Sequence, residues 1–395
     1  MKNIYILLIS LCTINIANAQ WLTLNSGTTQ FLRSVYFANE SVGYVVGGTC
    51  SNNIIIKTTN AGLSWTPKNP GISNILYYVF FTNQDTGIAA GANGVIIKTT
   101  DAGENWSTKY SGTSNELYKG FFTNSQTGYV VGANGTIIKT TNGGNNWSLL
   151  NSGTLSNFYH VFFTNNNTGY AVGDSGVIVK TTNSGANWSK TCLNSSYLNA
   201  SIYFIDDTTG FIAEYNGIIL KTTDAGKNWS SQIKSGSFSD VWFTDNKNGY
   251  IVGQAGFILK TTDCGTNWYT QSFSNPNENY VFLFFINFNT GYIVGSNGLI
   301  LKTTNGGGNS INELKNNSID MIIYPNPTKD ILTIEIPETE KENILSICNI
   351  NGQELIKQEI KSNKTQIDIG KLRGGVYFVQ LISEKKVITK KITIN

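Results

Sequence analysis

Few residues of this 395-residue chain could carry covalent or acid–base chemistry. His160 is its one histidine, and Arg33 and Arg373 are its two arginines. A Ser-His-Asp site would have to use His160, yet no Gly-x-Ser-x-Gly elbow accompanies it. Zinc needs clustered Cys and His ligands, and the chain has neither a CxxC nor a His/Cys pair. No metal and no cofactor are expected. The acids to inspect are Asp174, Asp206, Asp207, Glu214 and Asp240. Two of them facing one another could cleave a glycosidic bond, although each alone reads as a solvated loop carboxylate.

What must position these groups is a repeat. The sequence Lys-Thr-Thr-Asp/Asn-x-Gly recurs with its lysine at Lys57, Lys98, Lys139, Lys180, Lys221, Lys260 and Lys302, at intervals of 41, 41, 41, 41, 39 and 42 residues. Such a period is that of a four-stranded propeller blade. In the third copy, Gly120-Phe121-Phe122-Thr123 and Thr127–Gly132 read as strands joined by a polar turn. Asn134-Gly135 marks a tight hairpin into Thr136–Thr141, and Asn146–Leu150 is the fourth strand. Units this small bury their faces only by stacking on neighbours.

Six copies end in a tryptophan (Trp65, Trp106, Trp147, Trp188, Trp229, Trp268) and the seventh does not. The missing piece lies at the other end of the chain, where Gln20-Trp21-Leu22-Thr23-Leu24-Asn25-Ser26-Gly27-Thr28 parallels Asn146–Thr154. The N-terminal segment is therefore expected to supply the outer strand of a seventh blade, closing the ring and removing an exposed sheet edge. The fold class is all-β: a seven-bladed propeller over residues 20–309 followed by a small Ig-like sandwich.

The Thr-x-Asp/Asn-x-Gly-x-x-Trp stretch resembles the Asp-box, or BNR repeat. Its residues here are Asn60, Asp101, Asn142, Asn183, Asp224, Asp263 and Asn305 with the tryptophans above and Trp21. The side-chain oxygen can bond amides of its own turn and the glycine permits positive φ, so the motif predicts structure, not catalysis. The Asn-Trp-Ser sequons at Asn105, Asn146, Asn187 and Asn228 recur only because this hairpin does. Together with the Gly-Tyr-x-Val-Gly-x-x-Gly pairs (Gly128–Gly135, Gly169–Gly176, Gly291–Gly298), the repeats look like propellers related to the photosystem II stability/assembly factor. That resemblance implies a fold and a binding-type function. Sialidases are Asp-box propellers too, but they grip a carboxylate with an arginine cluster, which two arginines cannot build.

A binding surface is expected where the repeat breaks down. Just before each innermost strand the aligned residues differ: Ser34, Tyr78, Lys119, His160, Ser201, Asp240 and Phe282, with Arg33, Tyr77, Tyr118 and Tyr159 one place earlier. Aromatics mixed with single charges at a channel mouth could stack on a sugar or hold a peptide.

Residues 1–19 read as a signal peptide, with Lys2, an apolar run and Ala17-Asn18-Ala19 as a cleavage site. No later stretch is apolar enough to cross a bilayer. A net charge of +3 without a basic run gives no nucleic-acid footprint. Five cysteines spread over distant repeats, Cys12 within the signal, predict no disulfide framework. Residues 310–319 read as a polar linker. Beyond it, Tyr324-Pro325-Asn326-Pro327, Asn351-Gly352-Gln353-Glu354, Leu372–Tyr377 and Lys391–Asn395 together resemble the type A C-terminal sorting domain of the type IX secretion system, over 320–395. The resemblance implies the secretion machinery as a partner, and export to the surface or medium. A monomer is expected, with an extracellular glycan or protein as ligand. The reading is a non-enzymatic binding module; the alternative is an extracellular polysaccharide hydrolase.

Overall fold

The computed structural model describes residues 21–49, 52–193, 198–271, 277–308, 321–336, 343–349, 353–360, 362–382 and 387–394. The expected signal peptide, the 310–319 linker and the Asn351-Gly352 turn lie outside the described residues. The chain divides into two compact units, Met1–Glu313 and Leu314–Asn395.

The first unit is a series of four-stranded antiparallel sheets whose strands follow chain order from innermost to outermost. The third sheet is typical, with strands Leu117–Phe122, Gly128–Gly132, Ile137–Thr140 and Ser148–Leu150. The last sheet departs from that order. Its fourth strand is the N-terminal Leu22–Leu24, paired antiparallel with Leu22 opposite Lys302 and Leu24 opposite Ile300. Trp21 is fully buried behind that strand, edge-on to Phe285 with ring centroids 6.0 Å apart. The innermost strands are Leu32–Phe37, Leu76–Phe81, Leu117–Phe122, Phe158–Phe163, Asn199–Phe204, Phe238–Phe243 and Tyr280–Phe285. Each contacts the next, and the last contacts the first.

Burial explains the strand sequences. Second strands such as Gly128–Gly132 are buried throughout and carry continuous apolar runs, whereas the short outer strands are mostly exposed. Two glycines of the third repeat answer to close approach. A Cβ on Gly132 would lie 1.8 Å from the Glu116 carbonyl oxygen. Gly135, at φ +69°, would place one 1.8 Å from the Thr154 oxygen.

Neighbouring sheets are joined by one repeated device. Tyr129 of the third sheet stacks on Phe163 of the fourth at 4.1 Å, and its hydroxyl donates to the Ser184 carbonyl at 2.8 Å. Lys139 donates to the same oxygen at 2.7 Å. The last and first sheets repeat it, with Tyr292 on Phe37 at 3.9 Å and Tyr292 and Lys302 donating to the Ala61 carbonyl at 3.1 and 2.9 Å. The lysine that marks the sequence repeat is thus an inter-sheet bond in most copies.

The second unit has a three-stranded sheet of Ile322–Tyr324, Ile331–Glu335 and Lys364–Asp368. Its four-stranded sheet runs Glu354–Ile360, Asn343–Asn349, Gly375–Ile382, Val387–Ile394 in spatial order. Alternate residues of both sheets, among them Leu332, Ile334, Leu345, Ile347, Ile367 and Val379, share one core. Cys264 and Cys348 are free thiols. Among the described residues no helix is long and apolar enough to cross a membrane.

Candidate functional site

Each innermost strand carries a register shift between its first and third residues, for example Leu117/Lys119 and Phe158/His160. The second residue is therefore bulged out of the ladder, a device that re-aims its side chain. Arg33, Tyr77, Tyr118 and Tyr159 all occupy that position. They line a cleft of about 230 Å³ with Lys119, His160 and Asp240, joined by Leu198 and Tyr215. Tyr78 sits deeper, almost fully buried, in an adjoining apolar cavity of about 290 Å³.

Three tyrosines form an arc along the cleft. Tyr77 and Tyr118 are 5.4 Å apart and tilted at 57°, and Tyr118 and Tyr159 are 5.4 Å apart and nearly stacked at 26°. The Arg33 guanidinium lies 4.7 Å over Phe31 and 5.0 Å over Tyr77, in reach of cation–π attraction. Burial, then hydrogen bonding to Asp174, pushes the Tyr159 phenol up to about 12. Burial and a hydrogen bond to Glu116 raise Tyr77 likewise. Both rings remain neutral and anchored to carboxylates.

At the cleft floor Asp240 is 3% exposed. Its carboxylate accepts from the Ser201 hydroxyl at 2.6 Å, the Leu283 amide at 3.0 Å and its neighbour Val241's amide at 3.1 Å. It thereby ties three consecutive sheets. Lys119 Nζ stands 3.9 Å from this carboxylate and 3.5 Å over the Phe282 ring. Burial lowers the Lys119 ammonium to about 8 against the pull of Asp240. His160 Nε2 is 3.8 Å from Asp240. Burial first, and then Lys119, holds the imidazole well below its ordinary value, so it is neutral at pH 7.

The other acids are placed differently. Asp206 and Asp207 lie in the exposed turn at the far end of the innermost strand. Asp206 Oδ1 accepts from the Thr208 and Thr209 amides, each at 2.7 Å, as a turn cap. Asp207 accepts from Asn165 at 3.0 Å. Asp174 opens the hairpin beside Tyr159, and Glu214 is fully buried at the end of a second strand.

The Asp-box side chains act on their own turns. Thr99 Oγ1 donates to Asp101 Oδ1 at 2.8 Å and accepts from Gly103 N at 2.9 Å, while Asn105 donates its amide to Asp101 at 2.9 Å. The Asn105 backbone and then side-chain bonds hold Asp101 down at about 2. The threonine bond recurs at Asn60, Asn142, Asn183, Asp224, Asp263 and Asn305. Trp65, Trp106, Trp147, Trp188, Trp229 and Trp268 stand edge-on to phenylalanines at 5.9–6.4 Å.

One feature escaped the reading from residue types. The fifth residue of every innermost strand is aromatic: Tyr36, Phe80, Phe121, Phe162, Tyr203, Trp242 and Phe284, and these rings wall the apolar cavity. The column was visible in the aligned repeats but reads as ordinary core. Among the described residues no group of three or more His, Cys, Asp or Glu is placed to hold a metal.

Comparison with known proteins gives two family matches. The family described as photosynthesis system II assembly factor YCF48 matches residues 14–111, 111–238 and 232–318. A secretion system C-terminal sorting domain matches 322–395. Among curated proteins, a funoran endo-beta-hydrolase of Wenyingzhuangia aestuarii is 37% identical over 81 residues, 20% of this chain and 11% of that protein. The chain thus spans about a tenth of that relative's length. Among solved structures, YCF48 bound to D1 peptide aligns at 19% identity and a TM-score of 0.63, over 72% of this chain and 95% of its own. PorZ, a surface component of the type-IX secretion system of Porphyromonas gingivalis, aligns at 14% identity and a TM-score of 0.58, over 94% of this chain and 60% of its own. Identities this low speak to the propeller-like fold alone.

Proposed function

Because the chain belongs to the YCF48 assembly-factor family, we propose that it is a secreted, non-enzymatic binding module. Its sorting domain implies interaction with the secretion machinery and a destination outside the cell or on the outer-membrane surface. In this reading residues 1–19 are a signal peptide and 20–309 a seven-bladed propeller closed by the N-terminal strand. A linker at 310–319 leads to an Ig-like sorting sandwich at 320–395. The ligand is an extracellular glycan held at the channel mouth, with a peptide as the competing outcome.

The observation that carries the reading is the arc of Tyr77, Tyr118 and Tyr159 in one cleft with Arg33, Lys119, His160 and Asp240. Aromatic faces stack on sugar rings, and Arg33 and Lys119 in the same lining can donate to sugar hydroxyls. Hydrolysis is the weaker alternative. It needs two facing carboxylates, whereas Asp240 is committed to inter-sheet bonds and Asp206 caps a remote turn. The test is a glycan and peptide array with the full chain. Retention that falls at least tenfold in Tyr118→Ala/Tyr159→Ala supports the mouth; retention indifferent to those changes removes it.

A further inference from the structure

Beneath the mouth lies a compartment that the proposed function leaves unused. Its volume is about 290 Å³. Six of the seven neighbouring pairs in its aromatic belt have centroids 4.9–5.6 Å apart and planes tilted by 48–60°. The belt is therefore a nearly continuous aromatic wall assembled from one strand position. The compartment adjoins the mouth and its wall is mostly aromatic, so water held there has few polar partners. A dry apolar cavity of about 150 Å³ already accepts benzene. The channel has room for roughly two fused rings on that scale.

Two nitrogen-bearing side chains and one ring stand at the boundary between the two compartments. Lys119, His160 and Phe282 line both of them. Lys119 makes no short ion pair there: its 3.9 Å separation from Asp240 exceeds a hydrogen bond, and it also lies over the rings of Phe282 at 3.5 Å and Tyr78 at 5.7 Å. A lysine stem has the rotamers to swing aside. His160 Nδ1 is buried and has no hydrogen-bond partner among the described residues, so the boundary also offers a polar atom.

We infer that the channel is a binding site for a small aromatic group of one or two fused rings bearing a polar head. The belt encloses the rings, and Lys119 and His160 meet the head where the channel opens into the mouth. This site shares Lys119 and His160 with the mouth but does not depend on a sugar, because an aryl alcohol alone satisfies it.

The experiment uses the full chain with 2-naphthol, its β-glucoside and methyl β-glucoside, read by calorimetry and tryptophan emission. Saturable one-to-one binding of 2-naphthol is expected, with quenching that disappears in Trp242→Phe while the heat remains. Phe121→Trp/Phe162→Trp narrows the void and should weaken naphthol at least tenfold. Should that variant not fold by circular dichroism, Lys119→Trp fills the boundary from the other side and should give the same loss. Tyr118→Ala/Tyr159→Ala should leave naphthol unchanged, so failure of the mouth reading and failure of this one are separable. No saturable heat with 2-naphthol, or binding indifferent to the filling variants, overturns the inference.

Discussion

Asp240→Ala should be among the most damaging single changes in the repeat region, for reasons that can be counted. The carboxylate accepts from Ser201 and Leu283, on the two flanking sheets, at 2.6 and 3.0 Å. Hydrogen bonds to a charged group contribute about 1.5–3 kcal/mol each. Truncation also leaves the Lys119 ammonium buried without its counter-charge, and breaking a buried pair costs about 3–5 kcal/mol in all. A loss of about 3–5 kcal/mol is expected for Ala, and about 2–4 kcal/mol for Asn, which keeps one acceptor oxygen but removes the counter-charge as well. Adding Lys119→Met to Asp240→Ala should restore about 1–2 kcal/mol by removing the stranded charge. Urea unfolding followed by tryptophan emission suits the test. All eight tryptophans lie between Trp21 and Trp268, so the signal reports the first unit without the sorting domain. A loss below about 1 kcal/mol for both Ala and Asn would refute the assignment of Asp240 as a charged inter-sheet tie.

Three further outcomes follow from the same geometry. The Lys119 ammonium falls from 10.5 to about 8 on folding, so between those values the unfolded chain holds more protons and stability rises with pH. Relative to Lys119→Met, the natural protein should gain on the order of 3 kcal/mol from pH 8 to 10.5, measured by urea titration at each pH. Asp101 sits at about 2 rather than 3.8, which adds stability that is present above pH 3.8 and lost as pH falls toward 2. Asp101→Asn, the residue used at Asn142, should flatten that loss in acid melts and change little at neutral pH. Trp21→Ala removes a fully buried ring behind the closing strand and should cost about 3–5 kcal/mol, with faster proteolysis of the N-terminal segment.

The repeat was legible because its signals are local. Thr99, Asp101 and Gly103 bond within one turn, and the parallel between Trp21 and Trp147 anticipated the pairing of Leu22–Leu24 with the last sheet. What could not be read from one copy depends on neighbours far away in sequence. Lys57 and Lys98 look alike, yet Lys57 pairs with Glu104 and Lys98 with Asn145. Tyr77 and Tyr78 are adjacent, but the bulge between Leu76 and Tyr78 puts one at the rim and the other in the channel. Asp206 and Asp240 resemble one another as isolated acids; only the strand direction separates a turn cap from the cleft floor.

The central claim, binding without cleavage at the channel mouth, is tested most directly by incubating the full chain with extracellular polysaccharides and measuring retained polymer and new reducing ends in the same tubes. Retention that depends on Tyr118 and Tyr159, with no reducing ends released, is the predicted result. Release of reducing ends that disappears in Asp240→Asn or Asp174→Asn would contradict the account and make those carboxylates catalytic.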